Sequence, residues 1–239
     1  DVRAASLRLG APLKHASAVV AVFPQARLEF IRRFGLDPDK VTVIPRGVQA
    51  NRFPVTTSAE RTEARRHLGL DNRPWLVFVG SLTEEKAPLR AIDAVLAHPT
   101  AGLIVCGDGP LLGKVRERAA AQPERLHLQG PVVDVRPSLR AADAIILSSD
   151  TEGVPGAVVE AGMTGLPAIA SAVGGVPFLV RDSETGILVN PDFTRGFTDA
   201  IDSAVRGGVS MGLAAAQWCR QEFSMDVVAS RWADLIRAT

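Results

Sequence analysis

Short apolar runs recur along the chain between glycine- and proline-bearing turns. Separating them are stretches where apolar residues return every three or four positions. The runs Ala18–Val22 (AVVAV), Val41–Ile44, Trp75–Val79, Gly102–Cys106, Leu126–Leu128, Asp143–Leu147 (DAIIL), Pro167–Ala170 and Ile187–Val189 predict buried strands. The periodic stretches predict helices over 24–34, 59–68, 88–97, 110–121, 135–142, 157–163, 193–206, 210–221 and 225–238. Pro24 opens the first of these helices and Gly35 closes it, while Ser58 is the expected cap of the second. Val176–Val180 continues the alternation, and residues 1–16, with Leu7, Leu9 and Leu13, read as a helix with a weak apolar stripe. Strand and helix alternating in this way predict an α/β protein built on a doubly wound parallel sheet.

Composition narrows the partners. Of the 239 residues 46% are hydrophobic and 22% charged, which suits a globular protein able to bury a full core. A formal charge of +1 gives no support for a nucleic-acid partner, so any basic site has to be local. No apolar run approaches the ~20 residues of a membrane span. Cys106 and Cys219 lie far apart and are expected to be reduced thiols of a cytoplasmic protein. A chain that opens at Asp1 without a signal-peptide pattern is expected to be a fragment or a processed product.

Candidate chemistry concentrates between Ser148 and Gly175. The DAIIL strand runs out into a turn of Glu152, Gly153, Val154, Pro155 and Gly156, and a helix from Ala157 follows, with Glu160 expected in its first turn. In open α/β sheets ligands bind at such strand ends. Free N–H groups at the helix start favour an anion, and Gly153 and Gly156 let one approach the backbone closely. Glu152 and Glu160, eight positions apart, would repel that anion unless each had another task, and carboxylates accept well from hydroxyls. A ligand with phosphates at its centre and hydroxyls at both ends, such as a nucleotide sugar, satisfies all three groups. A solvated loop acid and a helix-dipole charge explain the same two residues, and the pair alone does not decide between them.

The wider pattern, Glu152-Gly-Val-Pro-Gly-Ala-Val-Val-Glu160-Ala-Gly followed by Gly165-Leu-Pro and Val173-Gly-Gly-Val-Pro177, resembles the signature of glycosyltransferase family 4. Members of that family are retaining, metal-independent enzymes of the two-domain GT-B fold, and the resemblance covers nearly the whole chain. It implies that residues 1–51 are the remnant of an acceptor-side domain, with the Asn51–Ser58 stretch as the connection. Residues 52–222 would be the Rossmann-like donor domain, and 223–239 a helix crossing back. The implied reaction moves a sugar from a nucleoside-diphosphate sugar to an acceptor hydroxyl on a glycan, lipid or small molecule. The family needs no cofactor, and association with the inner membrane surface would come through the rest of the acceptor domain. A nucleotide-sugar-binding module without turnover, and an epimerase or phosphorylase relative, are the alternatives.

The resemblance also distributes roles. Glu160 would take the ribose hydroxyls and Glu152 those of the sugar. The backbone from Gly153 through Val154, Pro155, Gly156 and Ala157 would hold sugar and phosphate. Lys86 follows a strand–glycine turn. On spacing alone a solvated loop lysine is the better reading, but in the family a Gly-Arg-Leu…Lys-Gly segment there contacts the donor diphosphate. This chain departs twice, with Ser81 for the arginine and Ala87 for the glycine, so one positive charge is missing. Arg46 and Arg181 are the candidates to replace it. Phe23 also stands where the family has a serine. The Gly107-Asp-Gly-Pro turn is a poor dinucleotide fingerprint, because its third glycine falls at Gly113. In the family it lies near the nucleotide, with Asp108 as a turn residue. Gln129–Asp134 would hold the base through backbone near Val132 and Val133, with Asp134 also a helix cap. The four histidines show no metal spacing, and His67 and His98 read as surface residues. The three tryptophans read as packing residues. Ser148 and Ser149 lack the Gly-x-Ser-x-Gly elbow of a serine hydrolase.

Overall fold

The computed structural model describes residues 12, 13 and 15–239, so most of the helix expected over 1–16 lies outside the described residues. Strands β3 (Trp75–Val79), β4 (Gly102–Cys106), β5 (Leu126–Gly130), β6 (Ala144–Leu147), β7 (Ala168–Ser171) and β8 (Gly186–Val189) form one parallel sheet in the order β5-β4-β3-β6-β7-β8. A second sheet pairs β1 (Val19–Ala21) with β2 (Val41–Val43), also in parallel. The large sheet grows outward from β3 in one direction and from β6 in the other. Its topological switch point therefore lies between those two strands.

The apolar runs of the central strands are continuous because helices cover both faces. Trp75, Val77, Ile104, Cys106, Ile145 and Leu147 face one core. Their neighbours Leu76, Phe78, Leu103, Val105, Ala144 and Ile146 face the other. This period-two division is the strand pleat read across three strands. Each of the large side chains contributes about 1.5–3 kcal/mol by leaving water.

Several expectations change in detail. The Ser58–Leu68 helix is capped by Thr57, not Ser58. Thr57 Oγ1 accepts from the Glu60 N–H at 3.2 Å while Glu60 accepts from the Thr57 N–H at 2.8 Å, a reciprocal box that Ser58 stands too near Glu60 to make. The helix after β6 is Gly156–Met163, one residue longer than expected, so Glu160 lies beyond its first turn. Val176–Leu179 is a short helix, and the helix expected from residue 193 begins at Thr194. His98 is buried rather than exposed. Its Nδ1 accepts the Thr100 and Ala101 N–H groups and its Nε2 meets Asp202 at 3.2 Å, which ties the end of the Pro88–Ala97 helix to the Thr194–Arg206 helix. Of the tryptophans, Trp75 is buried and Trp218 donates to the Leu179 carbonyl, but Trp232 is exposed.

Near the C-terminus the Gly208–Phe223 helix packs on Gly156–Met163, and a fresh helix runs from Met225 to Ala238. The junction clamps the chain between the two sheets. Val48 N–H donates to the Phe223 carbonyl at 2.9 Å and Met225 N–H donates to the Val48 carbonyl at 2.8 Å.

Candidate functional site

Both strands at the switch point end in loops that are tied to one another. The Asp150 N–H donates to the Glu85 carbonyl at 2.8 Å, Ser148 Oγ donates to the Ala87 carbonyl at 2.9 Å, and Arg90 reaches both the Ser148 carbonyl and the Asp150 carboxylate. On this frame Lys86 Nζ stands 2.9 Å from Glu152 Oε1. Ser149 Oγ donates to the same oxygen at 2.7 Å. The Glu152 side chain is only 8% exposed, so these two donors fix an almost buried carboxylate that solvent does not stabilise. The loop–strand reading of the sequence holds in geometry, and an ion pair across the switch point is its product.

The backbone of the Glu152 loop rests on the double glycine downstream. A Cβ on Gly174, whose φ is +52°, would come within 1.8 Å of the Glu152 carbonyl oxygen. One on Gly175 would come within 2.2 Å of the Gly153 carbonyl. The two glycines are thus the floor on which Glu152 and Gly153 lie. Pro155 and Gly156 then start the helix. The Val158 and Val159 N–H groups both turn back to the Pro155 carbonyl, which leaves those of Gly156 and Ala157 without an acceptor among the described residues. Glu160, half-buried further along the helix, has its pKa raised above the usual carboxylate value by burial, against the opposing pull of Arg46 and Arg52.

A cleft of about 270 Å³ opens on the other side of β3, where Ser81, Gly107, Asp108, Pro131 and Val132 meet. Gly107 is required there by close approach, since a Cβ would fall 1.9 Å from the Gly80 carbonyl oxygen. Asp108 serves the turn, with its carboxylate accepting the Gly109 N–H and its carbonyl accepting that of Leu82. Val133 does not line the cleft, and its side chain is fully exposed. Asp134 is not the cap residue of the Arg136–Ala141 helix, which is Val135, but its carboxylate accepts the Arg136 N–H at 3.0 Å and pairs with that guanidinium. The Arg136 hydrogen bond holds its pKa down to about 2.

Ala87 carries a visible cost of its departure from glycine. It sits at φ +45°, ψ +52°, a left-handed conformation that strains any residue with a Cβ. Ala87→Gly should therefore raise stability by about 0.5–1 kcal/mol, the relief of that strain less the extra freedom glycine gains when unfolded. Denaturant titration checks it, and a loss of stability would refute the strain.

Ser149, Arg90 and Arg52 were not anticipated. The adjacency of Ser149 to Glu152 was a weak signal, whereas the place of Arg90 depends on the pairing of β3 with β6. Arg181, one of two cations considered as a replacement at Ser81, is engaged elsewhere. It stacks on Trp218 at 3.6 Å and pairs with Glu184 at 3.0 Å. Among the described residues no group of three or more His, Cys, Asp or Glu could hold a metal ion. No described helix is long and apolar enough to cross a membrane.

A Rossmann-ordered sheet with acid, lysine and helix start at its switch point defines an open α/β protein of the kind that binds ligands at strand ends. The family is settled by comparison: residues 73–206 match the model of glycosyl transferases group 1, and the chain belongs to that family. D-inositol 3-phosphate glycosyltransferase of Actinosynnema mirum is 35% identical over 201 residues, covering 76% of this chain and 47% of that protein. Alpha-maltose-1-phosphate synthase of Mycolicibacterium smegmatis is 28% identical over 246 residues, covering 93% and 63%. The chain thus spans about half to two thirds of the length of these relatives. In fold it is similar to Anabaena Alr3699/HepE in complex with UDP-glucose, with a TM-score of 0.85, 21% identity, and coverage of 98% of this chain and 67% of that one. Sucrose-phosphate synthase of Thermosynechococcus elongatus gives a TM-score of 0.85 at 24% identity, covering 99% and 61%. The GT-B architecture expected from the sequence is the one found.

Proposed function

We propose that the chain is the donor-binding part of a retaining glycosyltransferase that moves a sugar from a nucleoside-diphosphate sugar to an acceptor hydroxyl. The observation that carries this reading is the Lys86–Glu152 pair at 2.9 Å, set across the switch point beside the open helix start at Gly156. An ammonium has three donors, and one on Glu152 leaves two for phosphate oxygens. The Gly156 and Ala157 N–H groups add oriented positive charge at the same place. Glu152 then receives hydroxyls of the sugar and Glu160 those of the ribose, with the base in the cleft beside Gly107 and Val132, while Ser81 on the same cleft is left for a phosphate oxygen.

Breaking the anomeric bond builds positive charge on the sugar and negative charge on the departing diphosphate. Lys86 and the helix start meet the second charge as it forms. Groups placed in this way contribute about 3–4 kcal/mol each at related oxyanion sites. We read the reaction as metal-independent because protein cations and dipoles already stand where the leaving group develops charge. An acceptor attacking on the face the diphosphate leaves needs no enzyme nucleophile and retains configuration. The names of the relatives, a sugar-phosphate synthase and an inositol-phosphate glycosyltransferase, fit hexosyl transfer.

A thermal-shift panel of UDP-, GDP- and ADP-sugars tests the site. One base should raise the melting temperature, because its binding stabilises the fold by RT ln(1 + [L]/Kd), about 2.7 kcal/mol at 100 Kd. No shift with any of them would remove the reading.

A further inference from the structure

Within the loops after β3 and β6, Lys86 is the cation that meets Glu152, and Ser81 supplies no charge where the family resemblance expects a guanidinium. Arg46 approaches the same place from another part of the chain. A Cβ on Gly156 would lie 3.3 Å from both Cζ and Nη1 of Arg46, so the guanidinium rests against the first residue of the Gly156–Met163 helix. It is exposed, and it makes no ion pair or hydrogen bond with any described residue. That position is electrostatically adverse. The N-terminal end of a helix carries partial positive charge and favours anions, and cations belong at the opposite end. Glu160 offers partial compensation from a distance, since Arg46 opposes the burial that raises its pKa, but the two form no ion pair. An unpaired guanidinium beside unpaired helix N–H groups is a pair of like charges that an anion between them would reconcile.

The backbone carrying Arg46 is fixed on both sides. The Ile44 N–H donates to the Ala21 carbonyl at 2.9 Å, and Val48 is clamped between Phe223 and Met225. Gly47 lies so close to Met225 that a Cβ would stand 3.1 Å from its Cα. The flanking residues are thereby held before any ligand arrives.

We propose that Arg46 is a phosphate-binding residue of the donor site, reaching from the segment between the two sheets to supply the positive charge that Ser81 lacks. The proposal rests on the donor-site reading above and deepens it. The diphosphate would lie between Arg46, Lys86 and the Gly156–Ala157 N–H groups, so its binding would depend on the clamp at Val48 as well as on the large sheet.

The test is calorimetric binding to the purified chain. UDP, GDP and ADP are compared with uridine, guanosine and adenosine, for wild type and for Arg46→Ala, Arg46→Lys and Arg46→Ala/Ser81→Arg. Arg46→Ala should weaken the preferred diphosphate by about 10-fold or more while its nucleoside changes by less than about 2-fold, the range expected for one charged hydrogen bond. Arg46→Lys should recover part of the loss, and adding Ser81→Arg should recover most of it. Unchanged diphosphate affinity in Arg46→Ala would overturn the inference while leaving the donor site intact. Equal losses for diphosphate and nucleoside would also overturn it, because they would reveal a structural role. A wild-type chain that binds none of the diphosphates would remove the donor-site reading, and the role of Arg46 with it.

Discussion

Glu152→Gln is expected to lower turnover by about 100-fold or more while nucleotide affinity stays within about threefold, a loss confined to the transition state. The amide keeps the size of the side chain and still accepts the hydroxyl of Ser149. It loses the charge that Lys86 pairs with and, on the proposed reading, the strong acceptor that holds the hydroxyls of the sugar as its bond to oxygen breaks. Steady-state rates in a transfer-competent form, set beside calorimetric nucleotide affinity, give the two numbers. Lost nucleotide binding with unchanged turnover per bound donor would reverse the assignment. The partner residue separates chemistry from stability. Lys86→Ala leaves a carboxylate that is 8% exposed with Ser149 as its remaining donor, and it should destabilise the fold by about 2–3 kcal/mol. Combining it with Glu152→Gln removes the stranded charge. Stability should then return while activity does not.

The second large effect lies away from any ligand group. Gly174→Ala should destabilise the protein by about 3 kcal/mol or more, or else displace the Glu152 loop, since its Cβ would be driven to 1.8 Å from a backbone oxygen at a φ of +52°. For a chain of this size that corresponds to a melting temperature lower by roughly 6–12 °C. Gly153→Ala is the control. A Cβ there meets nothing within 4 Å, and its cost should stay under about 1 kcal/mol. Similar behaviour of the two variants would show that the double glycine does not support the loop.

Much of this was legible before any coordinates. Strands β3, β4 and β6 announce themselves because burial on two sides makes every residue apolar, and the Glu152–Glu160 spacing singled out the loop that the fold sets at the switch point. The failures share a cause. His98 looked like a surface residue because Asp202, which holds it, comes from a distant helix and leaves no local trace. Arg46 and Arg181 were equivalent as letters. Only the fold shows one stacked on Trp218 and the other at a helix start. The Thr57 cap was different, because its Thr-Ser-Ala-Glu pattern was in the sequence and places the glutamate at the third helical position for Thr57 alone.

The Lys86–Glu152 contact joins the two wings of the large sheet, and the seam beneath it is short. Strands β3 and β6 match in register at Leu76–Ala144 and Val77–Ile145, whereas β3 and β4 match at five positions. Both hydrophobic cores nevertheless run across that seam, and the Asp150–Glu85 and Ser148–Ala87 hydrogen bonds tie the loops above it. The lysine–glutamate distance is therefore a direct gauge of how the two wings sit against each other, and a substitution that shifts β6 along β3 would be read there first.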